Sequence, residues 1–226
     1  MIESIFMDLD NTIVHYNNKF IDYEIIYDWL TNCGVTEPEK IIFSNDWENL
    51  EKRLDFFGVD YKTFMSEWNP RFKISELNIK KQAIQKNEIS LYDGVKDFIK
   101  RINIPLALVT NSSREVVDLI LSHFNLNNSF DYVFTRNYDY IDLKKPDKKV
   151  SEIVIQKLGI CKRNIVMIGD SRGDMDFSIN SNLKFFNVHD RQIKSDYFFA
   201  NFRSLYTYCL KKYPSIFKED VYYVLY

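Results

Sequence analysis

The chain has 226 residues, 46% hydrophobic and 27% charged. That is the composition of a globular chain with apolar surface to bury, and it excludes wholesale disorder. Lys+Arg number 30 against 32 Asp+Glu, a net charge of −2, so there is no global basic field to hold a nucleic acid polymer or anionic lipid.

The first predicted element is a strand, Ser4-Ile5-Phe6-Met7, an apolar run that ends in the polar turn Asp8-Leu9-Asp10-Asn11-Thr12. Residues 15–92 then read as a small all-helical insert. Tyr23, Ile26, Tyr27 and Leu30 form one helical stripe, with Asp22 as N-cap and Gly34 after it. Trp47, Leu50, Leu54 and Phe57 form a second, ended by Gly58. Tyr61, Phe64, Met65 and Trp68 form a third, which Pro70 is expected to break. Trp29, Trp47 and Trp68 sit at core-like spacings, so packing is the first reading of all three. Lys80, Lys81 and Lys86 read as a solvated helix face. No further strand is expected before Pro105.

From there strands and helices alternate. Val95, Phe98, Ile99 and Ile102 make a helical stripe. Pro105–Val109 is a strand running into Thr110-Asn111-Ser112-Ser113, and Val116, Val117, Ile120, Leu121 and Phe124 follow on a helix capped by Ser113. Asp131–Phe134 is a shorter strand. After Lys144-Lys145-Pro146-Asp147, Val150, Ile153, Val154 and Leu158 make a helix closed by Gly159. Asn164–Ile168 runs into Gly169-Asp170-Ser171, and Lys184–Val188 into His189-Asp190. Short apolar strands alternating with helices predict an α/β fold, a five-stranded parallel sheet covered on both faces. In such sheets ligands bind beyond the carboxyl ends of the strands, so the polar residues after each strand converge on one edge.

Cys33, Cys161 and Cys209 are odd in number and widely spaced, which argues against disulfides or a zinc site. Cys33 and Cys209 read as small apolar filler. His15, His123 and His189 show no ligand spacing, and His123 reads as a surface residue. The opening residues do not read as a signal peptide, and no apolar run approaches the roughly 20 residues of a membrane span. A cytoplasmic chain without a membrane partner is the expectation. The aromatic tail after Pro214 is expected to cover an apolar face of its own chain, with a dimer contact as the alternative.

The chemistry lies at the strand ends. Asp8 and Asp10 are two residues apart and share a side at the end of a strand. Two such carboxylates repel unless a cation or proton joins them, and a hard ion such as Mg²⁺ suits them. One aspartate can then serve as nucleophile and the other as acid and base. Alone, Asp-x-Asp says little, because acidic turns are common. Thr110 and Asn111 add a hydroxyl and an amide, Lys145 adds a cation, and Asp170 and Asp174 add two more carboxylates on a glycine-containing loop. Carboxylates for a metal, a hydroxyl and a lysine together suit a phosphoryl group.

In these four segments the sequence resembles the haloacid dehalogenase (HAD) superfamily, in its phosphatase branch with a helical C1 cap. Asp8-Leu9-Asp10-Asn11-Thr12 matches motif one (DxDx[TV]), Thr110 motif two, Lys145 motif three and Gly169–Asp174 motif four (GDxxxD). Leu91–Val95 is similar to the segment where that family's chain returns from its cap. The resemblance covers roughly residues 1–14 and 90–210. It implies a Rossmann-like core of residues 1–14 and 93–226 and a cap of residues 15–92. It also implies a Mg²⁺-dependent phosphatase of a small phosphorylated metabolite, a nucleotide or sugar phosphate among the candidates. Asp8 would attack phosphorus, and Asp10 would protonate the leaving group and then activate water. Thr110, Lys145 and the Asn111 backbone N–H would hold phosphoryl oxygens. Mg²⁺ would be held by Asp8, the Asp10 carbonyl, Asp170 and Asp174, the last directly or through water. Asn17 and Asn18 would lie in the flap after the first strand, gating the site or merely making a turn, and Arg172 inside the metal loop would reach substrate or stay at the surface. Asp10 separates this chain from the dehalogenases, which lack a carboxylate there. A phosphomutase and a catalytically idle binding protein are the alternatives; a monomer or homodimer is expected.

Overall fold

A computed structural model of the protein describes residues 1–17, 23–39, 50–137, 143–193 and 195–218. The chain divides into two compact units, Met1–Asn17 with Asn87–Tyr226, and Asn18–Lys86.

The first unit is built on a parallel sheet of β1 (Ser4–Met7), β4 (Leu106–Val109), β5 (Tyr132–Phe134), β6 (Ile165–Gly169), β7 (Lys184–Val188) and β8 (Phe198–Phe199). The six strands lie side by side in the order β5-β4-β1-β6-β7-β8. Five lie where the apolar runs predict them. The sixth, β8, is a correction to the expected five: two residues pair with Asn187 and Val188, too short a run to show a period. Every residue of β1, β4 and β6 is buried, as a sheet covered on both faces requires. Alternation sorts their side chains: Phe6, Ala107, Val109, Ile165 and Met167 fall in one cluster with Val150, Val154 and Phe177 from the helices.

Those helices are α6 (Lys148–Leu158) and α7 (Arg172–Ser181); α4 (Val95–Arg101), α5 (Arg114–His123) and α8 (Phe202–Lys212) complete the unit. Ser113 caps α5 by accepting from the Val116 N–H, as expected. Gly159 caps α6 at φ 65°, a left-handed conformation that a side chain would disfavour. Buried Ile216 and Phe217 follow α8, and Phe217 meets Phe98 edge-on, so this part of the tail covers its own chain. The rest of the aromatic tail, 219–226, lies outside the described residues.

The all-helical reading of 15–92 needs correcting at both ends. β2 (Val14–Tyr16) and β3 (Ile89–Leu91) pair antiparallel, with Tyr16 opposite Ile89, and belong to the first unit. A three-residue strand whose partner is more than 70 residues away leaves no local period.

The second unit holds α1 (Tyr23–Asn32), α2 (Leu50–Phe56) and α3 (Tyr61–Gln85). Pro70 does not break α3, which runs through it for 25 residues. The proline removes one backbone donor, while buried Phe64 and Met65 before it and Ser75 and Ala83 after it hold the same helix. Trp29 packs edge-on against Phe64 and donates to Glu67, which supports the packing role. Cys33 is exposed, so it is not filler; Cys209 is buried. Trp47, Asn18 and Asp22 lie outside the described residues. No described helix is long and apolar enough to cross a membrane.

Candidate active site

β1 is flanked by β4 on one side and β6 on the other, so the chain reverses its winding there. A crevice at such a switch point gathers the residues just beyond the carboxyl ends of the three strands. Asp8 is the first residue past β1, and its N–H still donates to the Ile168 carbonyl of β6, which fixes its place in the sheet. The Lys145 ammonium reaches into the same crevice. It is buried and lies 2.5 Å from Asp8 Oδ1 and 2.5 Å from Asp174 Oδ1.

Asn111 braces Lys145 from behind. Its amide donates to the Lys145 carbonyl at 3.0 Å, and its side-chain oxygen accepts from the Lys145 N–H at 2.8 Å. The Asn111 side chain thus supports the lysine segment, a task separate from the phosphate contact expected of its backbone. Thr110 is buried beside it, and its hydroxyl oxygen accepts from the Ser112 N–H.

Asp10 lies one turn beyond β1, past which Asn11 adopts φ 57°. Its Oδ1 accepts from the Tyr16 hydroxyl at 2.5 Å and its Oδ2 from the Ser112 hydroxyl at 2.6 Å. Sequence reasoning assigns chemistry to neither donor. Ser112 could have been found, because it stands two residues past Thr110 at the same strand end. Tyr16 gives no such signal, since it falls in the stretch expected to be helical.

The loop after β6 carries the remaining carboxylates. Asp174 is fully buried at the third position of α7 and accepts from both the N–H and the hydroxyl of Ser171 in a capping box. Gly169 makes this possible: a Cβ on it would lie 2.5 Å from Asp174 Cβ. Asp170 accepts from the Thr12 hydroxyl at 2.6 Å. Behind Thr12, His189 stacks on Tyr92 at 3.7 Å and places Nε2 3.2 Å from the Thr12 carbonyl. Arg172 is exposed and pairs with Asp176 at 3.7 Å, and His123 is at the surface as expected.

Charge decides what this crevice can hold. Burial pushes the Asp8 carboxyl well above its usual range; Lys145 opposes the rise, while Asp174, Asp170 and Asp10 add to it. Asp170 is pushed up to about 7, by burial first and Asp174 next, against the stabilising Thr12 hydroxyl. For Lys145, burial works against the ammonium, but Asp174 and Asp8 outweigh it and raise its pKa. Oxygens of Asp8, Asp170 and Asp174 lie within 4.8 Å of one another. Burial and the neighbouring carboxylates hold Asp8 and Asp170 back from ionising, which a divalent cation relieves. An all-oxygen donor set of this kind fits a hard ion such as Mg²⁺. The Asp10 carboxylate is outside that cluster, engaged by Tyr16 and Ser112.

Residues 5–188 match the family model described as haloacid dehalogenase-like hydrolase. Among curated proteins, the (S)-2-haloacid dehalogenase of Pseudomonas sp. (strain YL) is 30% identical over 76 residues, 34% of this chain and 32% of that protein. A phosphoglycolate phosphatase of Pseudomonas putida is 28% identical over 88 residues, 38% of this chain and 32% of that protein. The chain thus spans about a third of the length of these two relatives. Among solved structures, the β-phosphoglucomutase of Clostridium difficile superposes with a TM-score of 0.62 at 20% identity, covering 95% of this chain and 98% of that one.

Proposed function

The chain belongs to the haloacid dehalogenase-like hydrolase family, and from that premise we propose that it is a Mg²⁺-dependent phosphatase of small phosphomonoesters, working through an aspartyl-phosphate on Asp8. The observation that carries the reading is the meeting of Asp8, Lys145, Asp170 and Asp174 beyond the carboxyl ends of β1 and β6.

In this reading an Asp8 oxygen attacks phosphorus and the bond to the leaving oxygen breaks. Asp10 gives its proton to that oxygen, so a neutral alcohol departs. Asp10, now ionised, takes a proton from water as the water attacks the aspartyl-phosphate, which releases inorganic phosphate and restores Asp8. Lys145 offsets the charge on the phosphoryl oxygens and favours the ionised form of Asp8 against the effect of burial and of Asp174. Thr110 and the Asn111 N–H bind the same oxygens, and Asn111 holds the lysine segment in place. Mg²⁺, held by Asp8, the Asp10 carbonyl, Asp170 and Asp174, would supply positive charge to the phosphoryl group. The helical unit Asn18–Lys86 takes the part of the cap.

The similarity to phosphoglycolate phosphatases makes phosphoglycolate the first substrate to try, ahead of nucleotide and sugar phosphates. The test is hydrolysis of p-nitrophenyl phosphate and of that panel, with Mg²⁺ and with EDTA. Wild type turns over with Mg²⁺ only, and Asp8→Asn does not turn over. A fully active Asp8→Asn variant, or an inert wild type across the panel, overturns the proposal.

A further inference from the structure

We infer that Tyr16 is a positioning residue for Asp10, and that Tyr16 and Ser112 together hold this carboxylate in the orientation from which it passes its proton. The inference rests on the acid–base role of Asp10 proposed above. A carboxyl group turns about its last bond, and a proton-transfer group must not turn freely. Here a hydroxyl donates to each oxygen, Tyr16 to Oδ1 at 2.5 Å and Ser112 to Oδ2 at 2.6 Å. Both lengths belong to strong O–H···O⁻ bonds.

The two donors are themselves fixed. The Ser112 N–H donates to Thr110 Oγ1 at 3.1 Å, and its carbonyl accepts from the Arg136 N–H at 3.1 Å. Tyr16 lies opposite Ile89 in the β2–β3 pair, and the next N–H, of Asn17, donates to the Glu88 carbonyl at 3.0 Å. The turn that brings it back is tied to Asp10: the Asn11 N–H donates to the Val14 carbonyl at 2.8 Å, and Asp10 bridges to Val14. The β2–β3 pair thus carries one tyrosine hydroxyl onto Asp10.

The donor type also suits the task. Asp10 alternates between neutral and ionised forms within one turnover. A hydroxyl donates to the carboxylate and, by rotating, accepts from the protonated acid. An ammonium or guanidinium has no lone pair to offer and would hold only the ionised form.

The experiment compares phenyl phosphate with p-nitrophenyl phosphate, two esters of similar shape whose leaving groups differ in basicity. p-Nitrophenolate departs readily without a proton, whereas phenolate depends more on the acid. The ratio of kcat for phenyl phosphate to kcat for p-nitrophenyl phosphate is expected to fall about tenfold in Tyr16→Phe and in Ser112→Ala, a part of what a whole acid–base group contributes. Ser112→Thr, which keeps a hydroxyl, restores the ratio toward wild type. A purely structural role lowers both rates together and leaves the ratio at its wild-type value, which overturns the inference. A fall in Ser112→Ala with none in Tyr16→Phe overturns the role of Tyr16. The Ser112 variants decide the matter where Tyr16→Phe does not fold. Asp10→Asn separates this claim from the one beneath it. A collapsed ratio there with wild-type ratios in the other variants overturns the positioning role alone. A wild-type ratio in Asp10→Asn overturns the acid–base role and this inference with it.

Discussion

Replacing Asn111 by alanine removes two hydrogen bonds to the backbone of Lys145, the 3.0 Å donation to its carbonyl and the 2.8 Å acceptance from its N–H. Lys145 is only 6% exposed, so water cannot readily replace both. Two net hydrogen bonds at about 1 kcal/mol each, plus part of the cost of leaving buried groups unpaired, give a loss of about 3 kcal/mol. At about 2–4 °C per kcal/mol for a chain of this size, the melting temperature falls by about 6–12 °C. Activity suffers separately, because the ammonium between Asp8 and Asp174 is no longer held; a displacement of about 1 Å costs about a hundredfold in kcat. Asn111→Asp keeps the acceptor for the Lys145 N–H but turns a carboxylate oxygen toward the Lys145 carbonyl, and is expected to be no more stable than the alanine variant. Urea unfolding and Mg²⁺-dependent p-nitrophenyl phosphate turnover read the two effects. A loss under about 1 kcal/mol with kcat within about threefold of wild type would refute the reasoning, since net hydrogen bonds and positioning both predict more.

Gly169→Ala places a Cβ 2.5 Å from Asp174 Cβ, so either β6 or Asp174 must shift. Overpacking of this kind costs about 1–3 kcal/mol, and thermal stability and turnover are expected to fall together. His189 is held below its ordinary value of 6.5 by burial first, against its bonds to the Thr12 and Ala200 carbonyls. The unfolded chain therefore takes up this proton first as the pH falls. The stabilisation by a neutral His189 is complete above about pH 6.5 and is lost below it. The stability difference between wild type and His189→Gln, measured by urea unfolding, is expected to narrow as the pH drops from 7 to 5; a constant difference contradicts this assignment. Ser113→Ala removes the N-cap of α5 and is expected to cost about 1 kcal/mol in thermal unfolding, with no change in kcat.

The main sheet was legible because β1, β4 and β6 are buried on both faces, and such strands write themselves as unbroken apolar runs. The candidate site was legible for the same reason, since polar residues that stop an apolar run stand at one edge of a parallel sheet. The hidden features depend on partners far along the chain. The β2–β3 pair joins Tyr16 to Ile89, and neither three-residue segment has a period of its own. With that pairing unseen, Tyr16 had no reason to be near Asp10. β8 is two residues long and takes its meaning only from β7. Pro70 reads locally as a stop, but buried side chains on both sides of it hold α3 together. The position of Asn111 suggests phosphate, while its side-chain amide is spent on Lys145, a partner 34 residues away.

The central claim is that Asp8 itself attacks phosphorus, and the stereochemical course at phosphorus tests it most directly. A thiophosphate monoester chiral through oxygen isotopes is hydrolysed in isotopically labelled water with Mg²⁺ present, and the configuration of the released thiophosphate is determined. Two successive in-line displacements, first by Asp8 and then by water, invert twice, so the account predicts retention. Inversion would mean that water attacks the ester in one step, and Asp8 would then not be the nucleophile.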